Sequence, residues 1–183
     1  MVSVSCCFTW DLRLSERLVK EYRDAYPDAR VSLGGPVFGL RSNSFEPGRF
    51  VREGVTFTSR GCPNNCPWCV VPGREGELRL LPITSGYIVN DNNLLACPRP
   101  HIESVVKMLR TQRNPAKLAG GIQASLVKDW HGELFRSIRI SEIFLAADHM
   151  GAIGPLRKAV RIFKMTRKKL RCYVLIGFEG ESI

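Results

Sequence analysis

Thr58-Ser59-Arg60-Gly61-Cys62-Pro63-Asn64-Asn65-Cys66-Pro67-Trp68-Cys69 decides how the rest of the chain is read. Three cysteines stand in it as Cys-x3-Cys-x2-Cys, and an aromatic residue directly precedes the third. Gly61, Pro63 and Pro67 interrupt any helical or strand pattern, so the stretch is a tight loop. It follows Val55-Thr56-Phe57-Thr58, a β-branched and aromatic run that predicts a strand. A loop that turns three thiols back on a single point is a metal or cluster site.

The thiol count then narrows the chemistry. Structural zinc is four-coordinate, and the fourth ligand here would have to come from Cys97 or His101, the nearby candidates in the sequence. An electron-transfer cubane cluster takes four cysteines, so three leave one iron without a protein ligand. An open coordination position marks a reactive metal site. The loop resembles, position for position, the Cys-x3-Cys-x-aromatic-Cys signature of the radical S-adenosylmethionine (radical SAM) superfamily. The resemblance implies that Cys62, Cys66 and Cys69 bind a 4Fe–4S cluster, and that the amino and carboxylate groups of SAM chelate the open iron. It also implies that Trp68 lies near the adenine. The implied activity is reductive cleavage of SAM to a 5′-deoxyadenosyl radical, fed by a reductant such as flavodoxin or ferredoxin, on a substrate the motif does not identify.

The 183 residues suffice for one well-buried domain with a small appendage. Hydrophobic content of 44% and charged content of 24% are those of a globular protein, and no apolar run has the length of a membrane span. The first residues, Met1-Val2-Ser3-Val4-Ser5-Cys6-Cys7, carry no basic region and so do not read as a signal peptide. Seven cysteines, an odd number with metal-type spacing, argue for a reducing cytoplasm rather than a disulfide framework. The net charge of +10 admits nucleic acid as a partner, and equally an acidic electron donor. Much of it sits in 110–117 and 157–171, and such runs are commonly a solvated face.

Residues 1–50 predict a Rossmann-like βαβ segment: a strand over Val2–Phe8, a helix over Leu12–Tyr26 with Leu14, Leu18 and Tyr22 in a stripe, and a strand at Arg30–Leu33. Leu33-Gly34-Gly35-Pro36 resembles the tail of the domain that precedes the barrel in cobalamin-binding radical SAM proteins. The cobalamin signature Asp-x-His-x-x-Gly is absent, so no cobalamin is expected. Cys6 and Cys7 read as packed strand thiols. Residues 41–54 read as a linker.

From Val55 onward, strands and helices alternate, which predicts a parallel α/β sheet. Gly73-Arg74-Glu75-Gly76 reads as a turn, and strands follow at Gly86–Asn90, Lys117–Ala119, Glu142–Ala147 and Cys172–Gly177. Helices are expected from Pro100, with Ile102, Val105, Val106 and Leu109 inward; from about Ser125, stacking Leu126, Trp130 and Leu134; and from Pro155, with Leu156, Ala159, Val160 and Phe163. With this alternation, the resemblance implies that the fold over 55–183 is a partial (βα) TIM-type barrel of radical SAM type. Ligands in parallel α/β folds bind at the carboxyl ends of the strands. The distinctive residues fall there: the cysteine loop, Asp91-Asn92-Asn93, Gly120-Gly121, Asp148, and Gly177-Phe178-Glu179-Gly180.

By the same resemblance, Gly120-Gly121 matches the glycine-rich turn that receives the SAM amino group, with Ile122 where the family commonly has Glu. Gly177 matches the late turn near the adenine, with Glu179 where Pro is usual. Asp91 and Asp148 are candidates for ribose or substrate, a strand-end Asp being also a common turn former. Cys97 and Cys172 read as packed thiols; His101, His131 and His149 read as surface or capping residues. The reading gives five barrel strands, one fewer than the family barrel, unless another lies near Glu77–Leu81. Two alternatives therefore stay open: a truncated, catalytically silent iron–sulfur protein, and a zinc-stabilised nucleic-acid-binding module.

Overall fold

A computed structural model describes residues 1–6, 9–38, 51–164 and 169–175. The chain divides into two compact units, Met1–Phe45 and Glu46–Ile183. The first contains β1 (Val2–Ser5), α1 (Leu12–Ala25) and β2 (Val31–Gly34). The strands pair in parallel from Val2↔Val31 to Ser5↔Gly34, so the expected βαβ unit is present. Its helix is rotated from the expected stripe. Ser15 and Val19 are buried, while Leu14 and Tyr22 are 46% and 40% exposed. Two strands offer a narrow floor, and small Ser15, whose hydroxyl donates to the Asp11 carbonyl at 2.8 Å, lets the helix approach it closely. Tyr22 stacks instead on Tyr26, ring centroids 6.3 Å apart. Cys6 is buried as expected, and Cys7 lies outside the described residues.

The second unit runs β3 (Val55–Thr56), β4 (Ser59–Arg60), α2 (Val71–Glu75), β5 (Arg79–Leu80), β6 (Ile88–Val89), α3 (Arg99–Arg110) and β7 (Ala116–Gln123). It continues through α4 (Asp129–Arg136), β8 (Ile140–Ala146), α5 (Ile153–Lys164) and β9 (Lys169–Tyr173). The protein is mixed α/β, with a five-stranded parallel sheet in the order β3-β6-β7-β8-β9. Neighbours in space follow one another in sequence. Crossovers of one hand then carry α3, α4 and α5 to the same side of the sheet, where α4 packs against both of its neighbours.

The core lies between those helices and the sheet. Helix α3 buries Ile102, Val105, Val106 and Leu109, the stripe its spacing predicts, and α5 buries Ala159 and Phe163. Phe163 stacks on Phe135 of α4 at 5.7 Å, over Leu118, Ile143 and Leu145 of the strands. Burial of these side chains, each contributing roughly 1.5–3 kcal/mol when large and apolar, holds the strand ends in place.

Several local expectations change. The strand read as Lys117–Ala119 does not stop at Gly120-Gly121. It runs on to Gln123, because β8 pairs with it on both sides of a register shift between Leu118 and Ile122. A glycine pair here marks a bulge rather than a terminus. Helix α4 starts at Asp129, preceded by a 3-10 turn at Ala124–Leu126. The turn read at Gly73–Gly76 is the end of the short helix α2, which holds Pro72 in its first turn. The strand near Glu77–Leu81 exists as β5, but it pairs antiparallel with β4 in a separate two-stranded sheet. The last strand starts at Lys169, earlier than expected. As an edge of the sheet among the described residues it is mostly exposed, not covered on both faces.

Candidate functional site

A cavity of about 340 Å³ opens in the second unit. The cysteine loop supplies Cys62, Asn64, Cys66, Trp68 and Cys69; the segment after β6 supplies Asn92 and Asn93. The end of β7 adds Gly121 and Gln123, followed by Ser125, and β8 with its following loop adds Ala146, Ala147, Asp148 and His149. Gly151, Ala152 and Pro155 complete the wall where α5 begins. The contributions of β6, β7 and β8 come from the carboxyl ends of parallel strands or the loops beyond them, where such folds bind ligands, and the cysteine loop reaches the same place from β4. The volume lies within the roughly 300–1,000 Å³ of small-molecule sites.

The cysteine loop is held by hydrogen bonds that do not involve its thiols. Asp91 is 2% exposed, and its carboxylate accepts from the Thr58 N–H at 2.6 Å, the Thr58 hydroxyl at 2.5 Å and the Ser59 hydroxyl at 3.0 Å. That fixes the chain entering the loop against the end of β6. Next along, Gly61 donates its N–H to Asn92 Oδ1 at 3.0 Å, at φ +78 with a Cβ position only 2.0 Å from the Glu77 carbonyl oxygen. Only glycine fits there. Arg60 pairs with Glu75, both nearly buried, which ties the loop to α2; Arg74 approaches the same carboxylate at 2.8 Å. Burial pushes the Glu75 carboxyl up, but its bonds to Arg74 and Arg60 outweigh that and hold it below the usual range.

On the cavity side, Gln123 Oε1 accepts from both Asn64 Nδ2, at 2.7 Å, and Asn93 Nδ2, at 2.8 Å. Asn93 Nδ2 also lies 3.8 Å from Cys62 Sγ. Its Oδ1 is buried with no hydrogen-bond partner among the described residues. The Cys69 N–H donates to the Cys66 carbonyl at 3.0 Å, closing the turn that brings those two cysteines together.

The thiols are close enough to affect one another. Burial pushes the Cys66 thiol above its ordinary value, and the neighbouring Cys69, Cys62 and Asp148 push it further. Burial likewise raises the Asp148 carboxyl, partly offset by His149. Among the described residues, however, no three His, Cys, Asp or Glu side chains are gathered tightly enough to hold a single metal ion.

Of the residues singled out from the sequence, Cys62, Cys66, Cys69, Trp68, Gly121 and Asp148 share this cavity. Gly120 does not line it: its backbone packs against the Asp91 carbonyl, so its place is structural. Asp91 points into the protein, engaged by Thr58 and Ser59 rather than by the cavity. Gly177 lies outside the described residues. Cys97 is buried as expected, but Cys172 is exposed because β9 is an edge. Of the histidines, His149 lines the cavity, and His101 places Nε2 3.2 Å from the Thr58 hydroxyl. His131 is buried, not on the surface, and caps α4 by accepting the Lys128 N–H at 2.9 Å. Asn64 and Gln123 were not marked by the sequence reading. Gln123 was hidden by ending β7 too early, and Asn64 lies among the x positions of the cysteine motif.

Neither protein-family models nor curated proteins give a match to this chain.

Proposed function

We propose that the chain is a radical SAM protein whose second unit is a partial (βα) barrel with the cysteine loop at its mouth. The observation that carries the reading is that Cys62, Cys66 and Cys69 all line one cavity with the carboxyl ends of the parallel strands β6, β7 and β8. Three thiols facing one cavity suit a cluster, which does not need them on a single point. One tetrahedral ion needs every sulfur about 2.3 Å from a single point, whereas a cluster distributes its thiolates over several irons and asks only that they face a common space. The two fourth ligands that the sequence suggests for zinc, Cys97 and His101, do not line the cavity, whereas His149 and Asp148 do.

On this reading, Cys62, Cys66 and Cys69 would hold a 4Fe–4S cluster, and a cluster so placed supplies the electron for reductive cleavage of SAM to methionine and a 5′-deoxyadenosyl radical. The chain's own residues bind and shield. The buried Asn93 Oδ1 is an acceptor in need of a donor, and Gln123 fixes the orientation of its amide. Asp148, near enough to Cys66 to raise its thiol, offers a carboxyl group to hydroxyl or ammonium groups in the same cavity. Trp68, Ala146, Ala147 and Pro155 give an apolar part of the lining, while Cys69 is exposed. The electron would come from a flavodoxin- or ferredoxin-type donor.

The test is anaerobic reconstitution followed by electron paramagnetic resonance of the reduced protein, with and without SAM, and assay of 5′-deoxyadenosine. A reduced-cluster signal that shifts with SAM, with 5′-deoxyadenosine formed, is the expected result, and serine at any of Cys62, Cys66 or Cys69 should abolish it. A cluster indifferent to SAM would reduce the protein to a silent iron–sulfur protein. Stoichiometric zinc with no cluster would overturn the reading.

A further inference from the structure

Some cations of this protein face an acidic partner, and others, such as Arg13, Lys20 and Arg23 on α1 and Lys107 on α3, stand on helices that also carry acidic residues. On α1, Arg17 faces Glu21; on α3, Arg99 faces Glu103; on the sheet, Lys117, Lys169 and Arg171 surround Glu142. Helix α5 differs. It contains no acidic residue, and among its positions 157–164 the exposed ones are Arg157, Lys158, Arg161 and Lys164, all basic. None of these four makes an ion pair or hydrogen bond with another described residue. The helix dipole favours Arg161 and Lys164 in the last turn. It does nothing for Arg157 and Lys158 further back, since the effect fades within a turn of the end.

We propose that α5 is a nucleic-acid docking surface that holds a nucleic-acid strand by its phosphate backbone. Charge complementarity selects a polyanion, and the make-up of the stripe selects which one. A protein partner needs buried apolar or aromatic anchors at the centre of the interface, and positions 157–164 expose none. A membrane-surface helix needs a free apolar face, but Ala159 and Phe163 are spent on the core. Phosphate contacts need only unneutralised Lys and Arg in a row. The stripe also has a direction. Pro155 lines the cavity, and at 1.5 Å per residue the cations extend from there to Lys164, about 14 Å along the helix. A strand laid on α5 therefore passes the cavity mouth.

The experiment is fluorescence anisotropy of the full chain with a labelled 20-nucleotide single strand of mixed sequence, over a series of salt concentrations. Four phosphate contacts at about 0.7 each give a slope of log affinity against log salt near −3, or roughly 50-fold weaker binding between 50 and 200 mM salt. R157Q/K158Q/R161Q/K164Q should flatten that slope by about 3 units, with circular dichroism and melting temperature checking that the fold is kept. Removing the same charge from the first unit, as R13Q/K20Q/R23Q/R30Q, should leave the slope unchanged. Equal loss in both variants would show a net-charge effect and overturn the proposal. So would tighter binding of polyglutamate, or of phosphatidylserine vesicles, than of the oligonucleotide.

Discussion

Replacing Asp91 by alanine separates a structural carboxylate from a ligand-binding one. Asp91 is 2% exposed and accepts three hydrogen bonds, from the N–H and hydroxyl of Thr58 and the hydroxyl of Ser59. A hydrogen bond to a carboxylate contributes about 1.5–3 kcal/mol, and a buried N–H left without an acceptor costs about 1–3 kcal/mol. The Thr58 hydroxyl keeps a second neighbour, His101 Nε2 at 3.2 Å, so the terms do not simply add. A loss of about 3–5 kcal/mol is expected, a large share of the roughly 5–15 kcal/mol that holds a domain together. In urea, at a slope of about 2 kcal/mol per molar, the midpoint should fall by about 2 M with the slope unchanged. Asp91→Asn should recover more than half of this, because Oδ1 can still accept from the Thr58 N–H while the hydroxyls turn to accept from Nδ2. The cysteine loop begins directly after Thr58 and Ser59, so metal loading should follow stability across the three proteins. An Asp91→Ala protein of unchanged midpoint that no longer bound SAM would refute the reasoning and return Asp91 to the ligand.

The glycine pair in β7 should divide in the same way. A Cβ at Gly120 would stand 1.8 Å from the Asp91 carbonyl oxygen, whereas one at Gly121 meets nothing nearer than 3.6 Å and bears only the strain of φ +84. Gly120→Ala should then cost at least about 3 kcal/mol, at or above the usual range for overpacking, and Gly121→Ala about 1–2 kcal/mol; thermal melts that fail to rank them so would refute this account of the bulge. A pH dependence follows from His131, 2% exposed, whose pKa falls from 6.5 to about 4 through burial and the charges of Lys128 and Arg99, partly offset by a backbone hydrogen bond at Lys128. The unfolded chain takes up that proton near pH 6.5 and the folded one only near 4, so its contribution is complete above 6.5 and declines as the pH falls towards 4. His131→Asn, which can still accept the Lys128 N–H, should show a flatter urea midpoint between pH 7 and 4; an unchanged profile would rule His131 out as the cause.

The parts of the fold that depend on periodicity were legible in the sequence. The stripe of α3 at Ile102, Val105, Val106 and Leu109 and the βαβ order of the first unit both follow from spacing alone. What failed depended on neighbours that spacing does not contain. Gly120-Gly121 carries the local signature of a strand end, and only the pairing of Ile122 with Leu145 shows that the strand continues. Leu14 and Tyr22 form a sound amphipathic pattern, but a two-stranded floor is too narrow to cover it. In the site, the cysteines were legible because their spacing is itself the chemistry. Asn64 and Gln123 were not, since an amide declares its role only through the partner it reaches across the fold.

The same amides explain why the cysteine loop has a defined course apart from any metal. A zinc finger is ordered by its ion because nothing else fixes the ligands, and so it unfolds without metal. Here the backbone is held before, within and after the motif: Gly61 on Asn92, Cys62 on the Gly76 carbonyl at 3.3 Å, Asn64 on Gln123, and Cys69 back on Cys66. None of these bonds uses a thiol as donor or acceptor. Apart from Cys62 Sγ, which accepts from Asn93 Nδ2 at 3.8 Å, the sulfurs are left to the cavity, on a scaffold stabilised by Asp91, Glu75 and the sheet beneath it. A loop ordered in this way does not need a metal to fold it, and the cluster we propose, with one position left open, would be compatible with it.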